Sequence, residues 1–300
     1  MSYRIISDSA SDLLTSQVDF YTTVPMHIII DGKDWQDVPG IDTAAMQASI
    51  DACRLATSTS CPAPGEWLEA FADADDVFCI TITSQLSGSY VSAIAAKSMY
   101  EEEHPDRHVY VIDSLATGPR MHLLIDHLVQ MLEMGVEPET AYHNLLRYRD
   151  STCLLFSLKS VQNFVRNGRI NPLLGKAIGL LNIRLLGTAS NEGKLEVLDK
   201  VRGSSRTLDG FVKNMEKFGY EGGKVIIRHH QNETEAVQLS DLIRKKYGEK
   251  VEVMIGPTTG LCSYYAEKGG LLVGFERVPE EAPAVEPAFE HADHTAKAMN

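Results

Sequence analysis

The stretch from Asp76 to Met99 limits the fold of this chain more than any other. It joins an apolar run (Val77, Phe78, Cys79, Ile80, Ile82), a small-residue loop from Thr83 to Ser89, and a helical pattern with Tyr90, Ala93, Ile94 and Met99 on one side. A run this short, rich in β-branched residues and nearly free of charge, reads as a buried strand of a mostly parallel sheet. The helix then begins near Ser87 or Ser89, and either can cap it. A strand, a Ser/Gly loop and a helix N-terminus in this order aim free N–H groups, a partial positive charge and several hydroxyls at one point, which suits an anion. The same serines also make sense as helix caps and nothing more.

The flanking stretches repeat the pattern. Tyr3 to Ser7 predicts a first strand ending in the polar cluster Asp8-Ser9-Ala10-Ser11-Asp12-Leu13, and open α/β sheets place ligand contacts at the carboxyl ends of their strands. Asp12 reads equally as a helix N-terminal residue. Val24 to Ile30 gives a second apolar segment, Asp31-Gly32 a turn, and Thr43 to Cys53 a helix. Pro62 and Pro64 forbid a helix until Pro64 itself, which leaves Thr59 and Ser60 on an extended, hydroxyl-rich loop. Val109 to Asp113 is another strand, and Asp113-Ser114 leads through Gly118-Pro119-Arg120 into an amphipathic helix, Met121 to Met134, with a further helix over Glu137 to Arg149. In one doubly wound sheet these strand-to-helix junctions share an edge, so their hydroxyls can converge.

The second half changes texture. Strands are expected at Cys153 to Leu158, Ile183 to Leu186, Leu195 to Lys200, Lys224 to Arg228, Val251 to Ile255 and Leu271 to Phe275, with helices at Ser204 to Phe218 and Thr234 to Tyr247. Helical spacing from Leu158 to Val165 stops at Asn167-Gly168, and Asn171-Pro172 starts a new apolar helix, Leu173 to Leu181, with Arg169 between the two. The expected division is therefore an N-terminal α/β domain over 1–152 carrying the Ser/Thr loops, a mixed-sheet α/β domain over 153–278, and an acidic Ala/Pro-rich tail over 279–300 that packs weakly.

Composition excludes several classes of function. At 300 residues with 44% hydrophobic and 23% charged, the chain can build two ordinary cores without disulfide or metal. A net charge of −13 argues against nucleic acid or an anionic membrane surface as partner, since either needs a basic footprint. Five scattered cysteines with no Cys-x-x-Cys pair fit a reducing cytoplasm, and neither a signal-peptide region nor a membrane-length apolar run is present. Nucleotide-binding glycine loops, zinc-protease helices and nucleophile elbows are also missing. A nucleophile at Ser87 would need a base that the sequence does not assign. Adjacent His229 and His230 on a strand point to opposite faces and would not chelate one metal.

Six motifs occur in a specific order: Asp8-Ser9-Ala10-Ser11-Asp12-Leu13, Thr59-Ser60-Cys61-Pro62-Ala63-Pro64-Gly65-Glu66-Trp67, Ser84-Gln85-Leu86-Ser87-Gly88-Ser89-Tyr90, Asp113-Ser114, Asn167-Gly168-Arg169-Ile170 and Lys200-Val201-Arg202-Gly203. Over roughly residues 3 to 277 this set resembles the DegV family, a bacterial family of two-domain α/β proteins that bind a long-chain fatty acid. In many bacteria they present its carboxyl group to a separate fatty acid kinase. The resemblance implies a mostly parallel, doubly wound sheet in the first domain and a mixed sheet in the second. It also implies a carboxylate site at Thr59 and Ser87 with Ser60, Gly88 and Ser89 beside them, and Arg169 and Arg202 facing the partner. It implies no catalytic residue, no metal and no cofactor beyond the fatty acid itself. A binder of another amphipathic anion, or a stand-alone acyl or phosphoryl hydrolase using Ser87, is the competing reading.

The sequence departs from the family pattern most in the C-terminal loop. Where the family reads Gly-x-His-x-Gly-Pro-Gly, this chain reads Gly260-Leu261-Cys262-Ser263-Tyr264-Tyr265-Ala266. A neutral thiol at Cys262 is a poor donor and carries no positive charge, so the head-group site is expected to lose a partner. Cys262, Arg120 and Ser114 at the end of its strand are the candidate head-group neighbours, and Arg120 could replace the missing charge.

Overall fold

The computed structural model describes residues 2–53, 56–170 and 183–278. β1 (Tyr3–Asp8) and β2 (Tyr21–Val24) lie side by side in parallel. The segment expected to run from Val24 to Ile30 is broken at Pro25, which has no N–H to give to a ladder. Beyond it the chain enters a separate antiparallel sheet, β3 (His27–Ile30) against β4 (Lys33–Gln36). Asp31 (φ 49°) and Gly32 (φ 77°) form the tight turn between them. Two positive φ values in succession are what a two-residue hairpin needs, so Asp-Gly here marks a hairpin and not a plain turn. α1 (Thr43–Ala52) follows, capped by the Asp42 carboxylate, which accepts from Ala45 N at 2.9 Å. β5 (Ser58–Ser60) then returns to pair with β3. Thr59 and Ser60 thus sit on a strand, where a loop is expected.

Pro64 opens α2 (Pro64–Phe71) at its first position, and the Glu66 carboxylate accepts from Ala63 N at 2.8 Å. β6 (Asp76–Thr81), buried throughout, feeds α3 (Ser89–Glu103), and β7 (His108–Asp113) completes a parallel sheet in the order β2-β1-β6-β7. α4 (Pro119–Glu133) and α5 (Pro138–Asp150) follow.

The remaining elements are β8 (Thr152–Leu158), α6 (Gln162–Arg166), β9 (Ile183–Ala189), β10 (Leu195–Arg202), α7 (Ser204–Lys217), β11 (Gly223–His229), α8 (Glu233–Tyr247), β12 (Val251–Pro257), α9 (Gly260–Ala266) and β13 (Leu271–Glu276). Their strands form one mixed sheet, β10-β9-β8-β13-β11-β12, antiparallel except between β11 and β12. The stretch 260–266, expected as a loop, is a short helix. The expected apolar helix Leu173 to Leu181 and the tail over 279–300 lie outside the described residues.

α4 ties the parallel sheet and the mixed sheet together. One face, with Met121, Leu124, Ile125 and Leu128, joins the core of Ile5, Phe78, Ile80 and Ile112 from the parallel sheet. The other lies on β8, β11 and β13. There Lys224 Nζ meets Asp126 Oδ2 at 2.5 Å and Arg228 Nη2 meets His122 Nδ1 at 2.9 Å. The approach is close because β13 carries Gly274: a Cβ there would stand 2.6 Å from the Pro119 carbonyl carbon.

Candidate functional site

The strand-to-helix junctions do converge at the carboxyl edge of the parallel sheet, but the loops meet around buried carboxylates. Asp8 accepts from Ser89 Oγ at 2.6 Å, Ile82 N at 2.8 Å and Ala10 N at 3.2 Å. Burial pushes its pKa up to about 6 against the pull of those three bonds. Ser89 is therefore fully buried and turned toward Asp8. Ser87 plays a different part. Its Oγ accepts from Ser89 N at 3.2 Å, while Gly88 occupies the N-cap of α3 without a side-chain cap. The Ser87 proton is left to donate elsewhere.

β5 is brought to the same place. Ser92 Oγ, in the first turns of α3, donates to Pro62 O at 2.6 Å, and a Cβ on Gly88 would lie 3.3 Å from Cys61 Sγ. Thr59, Ser60, Ser87 and Gly88 thereby border one cavity of about 270 Å³. Most of its remaining wall is carbon. Met26, Ile82 and Leu86 come from the first half, Leu154, Phe156 and Leu158 from β8, and Phe164, Leu272 and α9 from the rest of the second half.

α9 is held in the wall by two further buried carboxylates. Asp37 accepts from Gly260 N at 2.7 Å and Leu261 N at 2.9 Å. Asp12, in a left-handed conformation (φ 56°), accepts from Thr259 N at 2.8 Å and Thr259 Oγ1 at 3.0 Å. It is thus a buried acceptor and not a residue of a helix N-terminus. On the other side of α9, Asn163 Nδ2 donates to Tyr264 O at 2.7 Å, and the Tyr264 hydroxyl meets Thr57 Oγ1 at 2.5 Å.

Cys262 lines the cavity from α9. Its Sγ lies 3.5 Å from both Ala10 O and Thr117 Oγ1, and burial beside Asp12 raises its pKa well above the ordinary thiol value, so it is a neutral thiol. Asp12 Oδ2 is buried next to this thiol and close enough to interact with it. Cys262→His should therefore tighten binding of an anionic ligand in this cavity. The gain should be largest where the imidazole is protonated, below about pH 6.5. A titration across pH 5.5 to 8 reads this directly, and an unchanged affinity throughout would separate Cys262 from the ligand.

A sequence profile described as uncharacterised protein, DegV family, matches residues 2–277. The chain belongs to the DegV family. It is 41% identical over 280 residues to a DegV domain-containing protein of Streptococcus pyogenes serotype M1, covering 92% of this chain and all of the relative. Among solved structures, the Streptococcus pneumoniae Fatty Acid Kinase (Fak) B3 protein loaded with linoleic acid superposes with a TM-score of 0.90 at 38% identity, covering 92% of this chain and 99% of that one. A DegV family protein from Eubacterium eligens loaded with heptadecanoic acid gives 0.89 at 38% identity, covering 92% and 100%. The fold is the α/β fold of solved DegV structures, with a parallel sheet and a mixed sheet.

Within this DegV chain, the sequence-derived site residues separate into two groups. Thr59, Ser60, Ser87, Gly88, Cys262 and Arg169 line the cavity. Ser89, Ser114, Arg120 and Arg202 do not. Arg120, considered a replacement charge, is buried against the α5–β8 turn: Nε donates to Thr152 Oγ1 at 3.0 Å and Nη2 to Arg149 O at 2.9 Å. Burial brings its pKa down to about 10. Three neighbouring oxygens, Leu115 O included, direct it away from the cavity. Ser114 Oγ donates to Ala116 O at 3.1 Å, closing its own turn. Arg202 is exposed at the end of β10, while Leu195 at that strand's start lines the cavity, so the two are roughly 20 Å apart along the strand. Arg169 is exposed at the cavity, its Nε donating to Leu86 O at 3.3 Å and its Nη1 to Asn167 O.

Sequence reasoning missed Tyr265 and Asp37. Tyr265 belongs to the stretch read as a loop, and Asp37 carries no motif. Among the described residues, no group of three or more His, Cys, Asp or Glu side chains could hold a metal ion, and no helix is long and apolar enough to cross a membrane.

Proposed function

We propose that this protein binds a long-chain fatty acid, with the carboxylate held by Thr59 and Ser87, and presents it to a separate kinase for acyl-phosphate formation. The observation that carries the reading is a carbon-walled cavity bordered by a cluster of hydroxyls on β5 and at the start of α3. Charge-assisted bonds of this kind are worth roughly 1.5 to 3 kcal/mol each and orient the head. The tail supplies affinity, at about 0.8 kcal/mol per buried methylene before the cost of ordering it. In this reading the domain over 1–152 supplies the head-group loops and the domain over 153–278 most of the acyl wall, and the carrier works in the cytoplasm. Support comes from the similar solved proteins loaded with linoleic and heptadecanoic acid, the first of them described as a Fatty Acid Kinase (Fak) B3 protein. A hydrolase using Ser87 gains no support, since among the described residues no histidine or carboxylate is hydrogen-bonded to its Oγ.

Denaturing extraction of the purified protein followed by mass spectrometry should release an intact fatty acid. A processed ligand, or none even after incubation with fatty acid, would overturn the reading. Thr59→Ala and Ser87→Ala should each weaken fatty-acid binding roughly tenfold or more while barely moving the melting temperature of the lipid-free protein. Lost apo stability with unchanged affinity would reduce both residues to local scaffolding.

A further inference from the structure

We propose that Tyr265 is a direct hydroxyl donor to the anionic head of the ligand, acting beside Thr59; the inference rests on the fatty-acid reading and names a residue that discriminates a carboxylate from other heads. The Tyr265 hydroxyl reaches across from α9 to within 2.8 Å of Thr59 Oγ1 on β5, and both side chains line the cavity. The ring is fixed on two sides, tilted against Phe164 with centroids 4.6 Å apart and edge-on to Tyr264 at 4.9 Å. The helix that carries it is itself anchored through Asp37 and Asn163. The hydroxyl is therefore held in place before any ligand arrives.

Two hydroxyls carry two protons, and the bond between them uses one. The second proton of the Thr59–Tyr265 pair is available to an acceptor in the cavity. A carboxylate, with two oxygens, can take both protons by entering between the groups. An alcohol, with one neutral oxygen, gains far less from a second donor. Burial raises the pKa of Tyr265, and the hydrogen bond to Thr59 and the charge of Arg169 only partly oppose it, so the phenol keeps its proton as a donor through neutral pH. Cys262, three residues earlier and so on the same side of α9, cannot fill this role well, being a weakly donating neutral thiol close to Ala10 O.

The test uses the full chain stripped of lipid, with linoleic acid and linoleyl alcohol as probes. Tyr265→Phe keeps the ring contacts and removes only the hydroxyl. It should weaken linoleic acid binding by roughly tenfold while leaving the alcohol within about twofold, and in a Thr59→Ala background it should still cost the acid several-fold. Unchanged acid affinity, or an equal loss for acid and alcohol, would overturn the proposal, the second outcome making the residue part of the acyl wall. No further loss in the Thr59→Ala background would also overturn it, leaving Tyr265 as a prop for Thr59. Wild-type protein that binds neither probe would instead overturn the fatty-acid reading on which the inference rests.

Discussion

Asp37→Ala should destabilise the lipid-free protein by about 3 kcal/mol or more at pH 5, the largest stability effect expected of any single change near the cavity. Asp37 is fully buried and accepts from two successive N–H groups at the start of α9, Gly260 and Leu261. Alanine leaves both donors without an acceptor, at about 1 to 3 kcal/mol each. The penalty should shrink as pH rises. Burial pushes the Asp37 pKa up to about 6, opposed by the two backbone bonds and assisted by the charge of Asp12. The folded site thus holds its proton more tightly than the unfolded chain, whose carboxyl titrates near 3.8. The wild-type contribution is complete below about pH 4, is lost between about 4 and 6, and stays lost above that. The loss across this window is of order 3 kcal/mol. Alanine has no proton to lose, so urea midpoints of the two proteins should lie closer at pH 7.5 than at pH 5. A gap of the same size at pH 5 and pH 7.5 would show that native Asp37 is already ionised at pH 5 and overturn this assignment.

Arg169→Ala should lower acyl-phosphate formation with a cognate kinase by tenfold or more while leaving fatty-acid affinity within about twofold. Gly168 (φ 70°) ends the turn after α6, and Arg169 emerges from it exposed, bonded to Leu86 O immediately before Ser87. A cation there stands beside the loop that we propose holds the carboxylate. It can guide docking of the kinase or balance the charge that gathers during phosphoryl transfer. Its bond to Asn167 O gives the opposing reading, in which it only finishes a helix end. Parallel loss of affinity and activity would make this cavity-lining side chain a binding contact of the lipid itself, and normal phosphorylation would leave it the helix-end role.

The sequence disclosed most of the strands and helices because their apolar runs are short and closed by Gly, Pro, Ser or Asp, so the period changes are sharp, but it did not disclose β2, β4, β5 or α9. Thr59 is legible as a hydroxyl on an extended segment and Ser87 as one at a helix start, though not that Thr59 lies on a strand, and the cavity brings the two together. What was hidden depends on partners far along the chain. Gly260–Ala266 reads as a loop because most of its side chains are buried, so no amphipathic period shows. The burial of Ser89 could not be foreseen without the carboxylate of Asp8, 81 residues earlier. Arg120 looked like a free charge because nothing local reveals that Arg149 O and Thr152 Oγ1 await it.

The position of α4 between the sheets also governs how the molecule must be built. On the ribosome its parallel-sheet face can be covered as soon as it is made, since β1, β6 and β7 precede it. Pro119, His122 and Asp126 have to wait for β11 and β13, residues 223–276, which emerge on the order of ten seconds later at ordinary synthesis rates. The N-terminal half released alone would display that uncovered face, and heat should melt both sheets in one transition, because neither can leave without stripping the same helix.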